Sequence, residues 1–176
     1  MDALRTERLI LRPFRGKDLP PYAALNAHPQ VAEMLGGPLS REESDDIALW
    51  ANQLWGPAPF GLVAIERAAD GAFLGMGGLH HLRDRPADTE IGWRLDPAYW
   101  GQGYATEAGR AWLDHGFGPL GLERIISVTD EANVRSQAVM RRLGLSFLEK
   151  DRIQDNGTWF DAIVHAITRE EWAARS

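Results

Sequence analysis

The amino-acid sequence predicts a mixed α/β fold in which strands and helices are arranged around one β-sheet. Stretches with apolar residues at every second position predict strands, and stretches with apolar residues three and four positions apart predict helices. Their order is strand, two helices, three strands, helix, strand, helix and two strands. The 176 residues contain no repeat, low-complexity tract or Gly/Ser-rich linker, so one domain over residues 1–176 is expected.

The first half of the chain contains recognisable start and stop signals. Ser40, followed three residues later by Glu43, has the pattern of a capping box, which starts a helix. The stretch 56–59 (Gly-Pro-Ala-Pro) ends that helix, and Asp70-Gly71 is typical of a hairpin turn. The elements predicted in this half are a strand at 8–14, helices at 18–27 and 40–55, and strands at 60–66 and 73–82.

The second half begins with a strand at 89–95 whose residues alternate between two faces. One face carries Ile91, Trp93 and Leu95, and the other carries Glu90, Gly92 and Arg94. Gly144 is suited to end the last predicted helix. The remaining elements predicted in this half are a helix at 105–117, a strand at 124–129, a helix at 136–143, and strands at 147–153 and 158–168 separated by a turn at 155–157.

Composition narrows the classes of function. The chain has no cysteine, which excludes disulfides, a thiolate metal site and a cysteine nucleophile, and which is compatible with a reducing cytosol. The formal net charge of −6 argues against general nucleic-acid binding, although a charge of this size also simply favours solubility. The N-terminus has no apolar leader, and no apolar run approaches about 20 residues, so a cytoplasmic protein without a membrane partner is expected.

The segment from Trp93 to Ala108 is the most informative for chemistry, because a strand runs through a glycine-containing loop directly into a helix. Gly101 and Gly103 allow a tight turn and a close approach of the backbone to a ligand. The N–H groups that follow at the helix start have no intrahelical partner and favour an anion such as a pyrophosphate. A plain strand-to-helix turn is the alternative, and neither a dinucleotide fingerprint nor a P-loop is present.

Three separated blocks of the sequence resemble one known family. They are Thr6–Pro13; Glu90–Trp93 with Tyr99–Ala108; and Asn133, Ser136 and Arg141–Leu145. Together they resemble the GNAT acetyltransferases, most closely the branch typified by the RimJ and RimL N-terminal acetyltransferases of ribosomal proteins. The resemblance implies the GNAT fold, a central and mostly antiparallel sheet of about seven strands with about four helices, splayed between the fourth and fifth strands.

The same resemblance implies acetyl-CoA as co-substrate and no metal. By it, backbone N–H groups of the glycine loop bind the pyrophosphate of CoA, the acetyl-pantetheine arm lies in the splay, and Asn133 contacts that arm. The residues expected to bind the cofactor are Trp93, Arg94, Leu95, Trp100, Gly101, Gln102, Gly103, Tyr104, Ala105, Thr106, Asn133, Ser136 and Met140.

Two positions depart from the family pattern. The phosphate loop of the family often starts with Arg or Gln, and here that place holds Trp100, so one charge-assisted contact is missing. Many members carry a tyrosine seven residues after the asparagine as the acid that protonates the departing thiolate. This chain has Met140 there, and methionine has no proton to donate.

Two other residues are the candidates for proton transfer. Glu90 is the candidate general base, acting directly or through a water, because a carboxylate in a partly dry cleft has a raised pKa. Its alternative is a solvated strand residue or a partner of Arg94. Ser136 is the candidate acid on the last helix, with a backbone-bonded serine as the alternative. Asn133 also fits the N-cap of that helix, and a cap does not preclude a cofactor contact.

Histidines give weaker signals. Neighbouring residues in a strand point to opposite faces, so His80 and His81 are not expected to chelate one metal ion, although His81 remains open as a substrate-side residue. His165, which alternates with Ile163 and Ile167, is expected to be a core histidine with its hydrogen bonds satisfied.

The resemblance implies an N-acetyltransferase that moves an acetyl group onto a primary amine by direct transfer in a ternary complex. Alternatives are a catalytically silent acyl-CoA-binding sensor, which Met140 favours, and a protein-interaction domain that docks through its tryptophan-rich helices. The acceptor is a protein N-terminal amine or a small-molecule amine, and no motif specifies which. A homodimer is the default expectation for the assembly.

Overall fold

The computed structural model describes residues 3–55, 60–82, 85–155 and 158–175. Its strands are β1 (Leu4–Arg5), β2 (Leu9–Arg12), β3 (Gly61–Arg67), β4 (Phe73–Leu82), β5 (Arg85–Leu95), β6 (Arg124–Asp130), β7 (Ser146–Asp155) and β8 (Thr158–Thr168). Its α-helices are α1 (Leu19–Ala27), α2 (Pro29–Ala32), α3 (Arg41–Leu54), α4 (Tyr104–Phe117), α5 (Val134–Leu143) and α6 (Arg169–Ala173). Short 3-10 turns cover Gly16–Asp18, Glu33–Leu35 and Pro97–Tyr99.

The strands form one sheet in the order β1-β2-β3-β4-β5-β6-β8-β7. The pairing of β5 with β6 is parallel, whereas the pairs β1–β2, β2–β3, β6–β8 and β7–β8 are antiparallel. The predicted mixed α/β fold with a mostly antiparallel sheet is therefore confirmed. The described residues add β1, α2 and α6 to the prediction, and these elements of two to five residues are too short to show a periodic pattern.

The predicted helix start, helix end and hairpin turn described next lie at the positions that the sequence indicates. Ser40 and Glu43 form the reciprocal capping box at the start of α3, and Gly144 ends α5 with φ 88°. The Asp70-Gly71 turn joins β3 to β4, with the Arg67 N–H donating to the Ala72 carbonyl at 2.8 Å. The predicted break at 56–59 lies outside the described residues, as do residues 156 and 157 of the last predicted turn. No helix of the described part of the chain is both long and apolar enough to cross a bilayer.

The chain divides into two compact units, each made of more than one segment. Unit 1 comprises residues 1–78 and 93–111, and unit 2 comprises residues 79–92 and 112–176. The core of unit 1 contains aromatic and small apolar side chains, with Phe14 and Tyr22 tilted at a ring distance of 5.1 Å. Its buried members are Phe14, Tyr22, Ala48, Ala51, Leu62, Ala64 and Met76.

A buried ion cluster ties β2 to β3 within unit 1. The Arg12 side chain is only 2% exposed, and it donates to Asp18 through two nitrogens at 2.6 and 3.0 Å and also to Glu66. Lys17 approaches Glu66 from the more exposed side at 2.9 Å. Burial raises the pKa of Glu66, but hydrogen bonds from Arg12 and Lys17 outweigh it and hold that pKa below its ordinary value.

Two glycines allow backbones in unit 1 to approach closely. A β-carbon at position 75 would overlap the carbonyl oxygen of Arg94, and one at position 78 would overlap the carbonyl oxygen of Gly61. Only a residue without a side chain fits at either place.

Unit 2 packs an aliphatic cluster on β6, β7 and β8, made of Ile126, Ile153, Ala162, Val164 and Ala166. Arg85 connects strands on its surface, with contacts of 3.0 Å to Asp88, 2.7 Å to Glu149 and 2.7 Å to Asp151. These ion pairs explain why β5 begins at Arg85, four residues before the predicted start, because the charged residues there are anchored rather than solvated.

Candidate active site

The loop between β5 and α4, in unit 1, has the backbone conformation that its glycines permit. Gly101 has φ 74° and Gly103 has φ 83°, both in the left-handed region. A β-carbon at Gly101 would meet no atom within 4 Å, so the glycine is required by the backbone angle and not by a crowded neighbour. The loop is exposed at Gly101, Gln102 and Gly103 and offers open backbone to a ligand.

The first turn of α4 completes this loop. The Glu107 N–H donates to the Gly103 carbonyl at 3.0 Å and closes the turn. By the geometry of a helix, the N–H groups of Tyr104, Ala105 and Thr106 precede that bond and have no intrahelical acceptor. Tyr104 is buried and Ala105 and Thr106 are half-buried, so the side chains leave this end of the helix open. The arrangement suits an anion such as a pyrophosphate.

Trp100 and Gln102 support the loop from within unit 1. The Trp100 indole Nε1 donates to the Leu95 carbonyl at 2.8 Å, and the Gln102 Nε2 donates to the Ala98 carbonyl at 3.0 Å. Many family members have a charged or polar side chain at the position of Trp100. Here the Trp100 indole instead forms a hydrogen bond that fixes the end of β5 relative to the loop.

Arg8 was not among the predicted site residues, although it lies in the first block of the resemblance. Its Nη1 donates to the Gln102 carbonyl at 3.1 Å, and its guanidinium carbon lies 4.5 Å from the centre of the Tyr104 ring. Its Nε donates to Glu107 at 2.6 Å. Burial raises the pKa of Glu107, but hydrogen bonds from Thr6 and Arg8 hold it below its ordinary value. Arg8 brings a cation beside the glycine loop, and only the fold reveals this.

Arg94 is held by neutral groups of unit 1. Its Nη1 donates to the Asn26 side-chain oxygen at 2.9 Å and lies 3.5 Å from the Tyr22 hydroxyl. Arg94 and Trp93 are half-buried and Leu95 is buried. Among the described residues no ion pair joins Arg94 to Glu90, so that alternative is wrong.

In unit 2, Glu90 is a buried carboxylate with a partner on each oxygen. Oε1 accepts from the Val128 N–H at 3.1 Å, and Oε2 lies 3.0 Å from Nε2 of His80. Only 10% of the Glu90 side chain is exposed, compared with 16% of the His80 side chain. The alternative that Glu90 is a solvated strand residue is therefore wrong.

The second nitrogen of His80 also has a neighbour. Nδ1 lies 3.3 Å from the His81 carbonyl oxygen, and the tautomer of the ring determines which nitrogen donates. With Nε2 protonated, His80 donates to Oε2 of Glu90 at 3.0 Å. His80 and Glu90 therefore form a largely buried pair of side chains in contact.

His81 has different surroundings. Its Nδ1 lies 3.1 Å from the Asp88 carbonyl oxygen, and its side chain is exposed. The two histidines form no chelate, and within the described ranges no group of three or more His, Cys, Asp or Glu side chains is placed to hold a metal ion.

Glu90 lies where β5 pairs with β6, and side chains supplement that pairing. In the parallel pairing of these strands, Glu90 of β5 lies opposite Ile126 of β6. Beyond that pair, the Ser127 hydroxyl donates to the Ile91 carbonyl at 2.9 Å, and the Glu90 carboxylate accepts from Val128. Side-chain hydrogen bonds therefore connect β5 to β6 next to this backbone pair.

The start of α5 contains two of the predicted residues. Asn133 is the N-cap, as predicted, and its side-chain oxygen accepts from the Ser136 N–H at 3.1 Å. The Ser136 hydroxyl makes no hydrogen bond within the described part of the chain, so the alternative of a backbone-bonded hydroxyl is wrong. Met140 is buried, with 1% exposure.

His165 differs from its prediction in one respect. It is buried, as expected, but its Nδ1 has no hydrogen-bond partner among the residues that the structure describes. Burial, and then the charge of Arg141, lower the pKa of His165, which keeps the ring neutral.

The predicted residues fall into two groups, one in each unit. Unit 1 holds Trp93, Arg94, Leu95, Trp100, Gly101, Gln102, Gly103, Tyr104, Ala105 and Thr106. Unit 2 holds Glu90, Asn133, Ser136 and Met140, together with His80, which sequence reasoning did not select.

Comparison with known proteins identifies the class. The family model of the acetyltransferase (GNAT) domain matches residues 8–146. The chain is 31% identical to FsC-acetyl coenzyme A-N(2)-transacetylase of Aspergillus fumigatus, over 96% of this chain and 77% of that protein. An acetyltransferase structure from Agrobacterium tumefaciens matches with a TM-score of 0.81 and 29% identity, over 95% of this chain and 94% of that one.

A structure of RimL, the ribosomal L7/L12 alpha-N-protein acetyltransferase in complex with coenzyme A, has the same fold. Its TM-score is 0.79 at 18% identity, over 97% of this chain and 99% of that one. The fold and the matches together define an acyltransferase that acts on nitrogen. The chain belongs to the GNAT acetyltransferase family, which confirms the resemblance seen in the sequence.

The residues present fit the co-substrate of that family, acetyl-CoA. The left-handed glycines, the open volume at Gly101 and the N–H groups at the start of α4 suit its pyrophosphate, and Arg8 adds a positive charge beside the loop.

Proposed function

We propose that this enzyme moves an acetyl group from acetyl-CoA onto a primary amine by direct transfer in a ternary complex. The observation that carries the proposal is the glycine loop, whose positive φ angles expose backbone N–H groups at the start of α4. No covalent enzyme intermediate is needed, and a chain without cysteine is compatible with that.

In the proposal, acetyl-CoA is held mainly by backbone groups. The N–H groups from Gly101 to Ala105 bind the pyrophosphate, and the backbone of Trp93 to Leu95 aligns the pantetheine arm. A backbone N–H of β5 stabilises the negative charge that develops on the thioester oxygen. Asn133, Ser136 and Met140 are the further residues proposed to bind the co-substrate. The cap of α5 uses only the side-chain oxygen of Asn133. Within the described residues the side-chain nitrogen makes no hydrogen bond, and this supports a contact between Asn133 and the co-substrate.

The Glu90–His80 pair is the proposed acceptor of the proton that the amine loses. The amine nitrogen forms a bond to the acetyl carbon, the bond from that carbon to sulfur breaks, and the amine proton passes to the pair directly or through a water. The contact of 3.0 Å between Nε2 and Oε2 supports this role, because it stabilises the added proton on either residue.

Ser136 is the proposed donor to the departing thiolate. Its hydroxyl, which has no hydrogen-bond partner in the described part of the chain, can transfer a proton to the sulfur and regain one from solvent. This role removes the need for a tyrosine at the position of Met140.

The acceptor is proposed at the level of a primary amine, either a protein N-terminal α-amine or a small-molecule amine. Similar proteins are named for both kinds: RimL is a ribosomal L7/L12 alpha-N-protein acetyltransferase, and an Escherichia coli relative is a spermidine N(1)-acetyltransferase. A single domain over residues 1–176, a cytoplasmic location and a homodimer remain predictions.

The competing function is a catalytically silent acyl-CoA sensor. Met140 at the tyrosine position favours it, whereas the intact Glu90–His80 pair has no purpose in a protein that only binds CoA.

The test is thiol release from acetyl-CoA with a panel of amines: peptides with free N-termini, spermidine, aminoglycosides and amino acids. Ser136→Ala is measured beside the wild type. Release with one class of amine, reduced at least tenfold in the variant, supports the transferase and names its acceptor class. CoA that raises the melting temperature without any release supports the sensor. Absence of CoA binding contradicts both.

A further inference from the structure

Arg94 is a half-buried cation without an acidic partner among the described residues. In unit 1, both of its side-chain hydrogen-bonding contacts are to neutral side chains, Asn26 and Tyr22, and both use Nη1. Within the same residues, its side chain makes no other hydrogen bond and no ion pair. A guanidinium kept partly out of water without a counter-ion is costly unless something else supplies the charge.

A buried network fixes the orientation of Arg94. Asn26 is 0% exposed, and its nitrogen donates to the hydroxyl of Ser44, also 0% exposed, at 3.1 Å. The Ser44 hydroxyl in turn donates to the Ser40 carbonyl at 2.9 Å. The Tyr22 hydroxyl lies 3.4 Å from the Met76 sulfur. Helices α1 and α3 therefore hold Nη1 in one position, which makes the guanidinium rigid.

The rigid orientation leaves the other edge of the guanidinium unused. Nε and Nη2 together carry three N–H groups, and within the described residues none of them donates a hydrogen bond. That edge has the fork geometry that binds both oxygens of one carboxylate. A residue needed only to donate a hydrogen bond to the Asn26 side-chain oxygen would require neither a second pair of donors nor a positive charge.

We propose that Arg94 binds a carboxylate of the acceptor, so that the substrate of this enzyme is an amine that also carries an anionic group, such as an amino acid or a short peptide. The inference rests on the proposed function. The backbone of Arg94 remains available to the pantetheine arm while its side chain serves the acceptor.

The experiment compares each acid with the amide that differs from it only in charge. The pairs are glycylglycine with glycylglycinamide, L-lysine with L-lysinamide, and 6-aminohexanoate with 6-aminohexanamide, which vary the distance from amine to carboxylate. Thiol release gives kcat/KM for each compound with the wild type and with Arg94→Met. For each pair, the ratio of kcat/KM for the acid to kcat/KM for the amide is calculated for both enzymes. The wild-type ratio is then divided by the variant ratio, so that the different basicities of the two amines cancel.

The expected result is that this double ratio is about 10- to 100-fold for at least one pair, the range for charge-assisted hydrogen bonds. The loss falls mainly on the KM of the acid, and the amide of the same pair, measured with the same variant, loses less. Arg5→Met, which makes the same change in net charge at an exposed position, leaves every ratio unchanged.

Three results overturn the proposal: equal use of acids and amides by the wild type, an acid preference that survives Arg94→Met, or an effect confined to the KM for acetyl-CoA. Arg94→Lys keeps the charge and covers the case in which the methionine variant does not fold; it should keep part of the preference.

Failure of the proposed function is separate, since it means no thiol release with any amine. Even then, the N-acetylated acid of one pair, added with CoA, should raise the melting temperature of the wild type more than its amide does. Equal shifts would contradict the carboxylate site.

Discussion

Nε2 of His80 lies 3.0 Å from Oε2 of Glu90, and both side chains are largely buried. Nδ1 of His80 faces the His81 carbonyl, and Oε1 of Glu90 faces the Val128 N–H, so the two residues are oriented toward each other from both sides. The pair is thus held in one geometry, as the proposed proton acceptor requires.

Replacement of Glu90 by glutamine tests the base. The amide oxygen still accepts from Val128, so the fold is expected to persist, but the side chain no longer accepts a proton from the amine. We expect kcat for thiol release to fall about 10²–10⁴-fold, the usual contribution of a general base. Asp161→Asn, a matched change at an exposed carboxylate, should leave kcat unchanged. A Glu90→Gln enzyme with wild-type kcat would exclude Glu90 as the base.

His80→Gln tests whether the imidazole assists Glu90. Without it, Oε2 of Glu90 loses the contact that orients it, so kcat/KM for thiol release should fall roughly tenfold. His81→Gln serves as the control at the next position, because His81 contacts the Asp88 carbonyl instead. Equal kcat/KM values for the two variants would show that His80 has no special role.

The glycine loop can be tested with one methyl group. Gly101→Ala places a β-carbon in open space at φ 74°, so its cost is backbone strain of about 1–2 kcal/mol and a displaced loop. The matched control is Gly71→Ala, at φ 72° in the turn between β3 and β4, with its nearest neighbour 4.0 Å away. Both variants should lose similar stability in denaturant, and only Gly101→Ala should weaken CoA binding in calorimetry. Equal CoA affinity in the two would argue against the loop as the pyrophosphate site.

Loss of Arg12 should destabilise the fold strongly. Arg12→Met leaves the buried carboxylate of Asp18 without its cation and leaves Glu66 with Lys17 alone. Breaking a buried pair in this way typically costs about 3–5 kcal/mol. Arg41→Met removes a surface pair with Asp45 one helical turn away and should cost only about 0.3–0.5 kcal/mol. Denaturant unfolding of the two variants measures the difference, and similar losses would mean that the buried cluster adds little.

Acid should unfold the protein partly through Glu107. Its pKa is lowered in the folded state, so its stabilising contribution is complete above its ordinary value of 4.5 and is lost as the pH falls through the lower folded value. Glu107→Gln should therefore lower the melting temperature at pH 7 and flatten its decline between pH 5 and 3. Parallel curves for variant and wild type would contradict this linkage.

The spacing of apolar residues was sufficient to predict the main strands of the sheet and the long helices, because each of these elements buries one regular face. The residues 89–95 alternate in the sequence, and β5 contains them. Asn133 was predicted as a cap because its preference is local, and the Asn133–Ser136 hydrogen bond is local too. The short elements were missed for the opposite reason, since two to five residues carry no period.

The site residues that escaped prediction depend on contacts between distant segments. His80 meets Glu90 only because β4 and β5 are neighbours in the sheet, and the sequence alone offered His80 no role beyond a metal-binding pair that was not expected. Arg8 approaches the glycine loop from a segment more than ninety residues away, as its bond to the Gln102 carbonyl shows. The lack of a partner on Nδ1 of His165 likewise depends on what the fold packs around it.

The absence of side-chain space at Gly75 and Gly78 limits how this enzyme can be redesigned. A larger residue at either position would have to displace the backbone of the neighbouring segment, so we expect neither glycine to tolerate substitution. Changes of acceptor range must then be sought in the helices that carry Asn26 and Ser44. A library built to alter specificity should randomise α1 and α3 and leave the middle of the sheet intact.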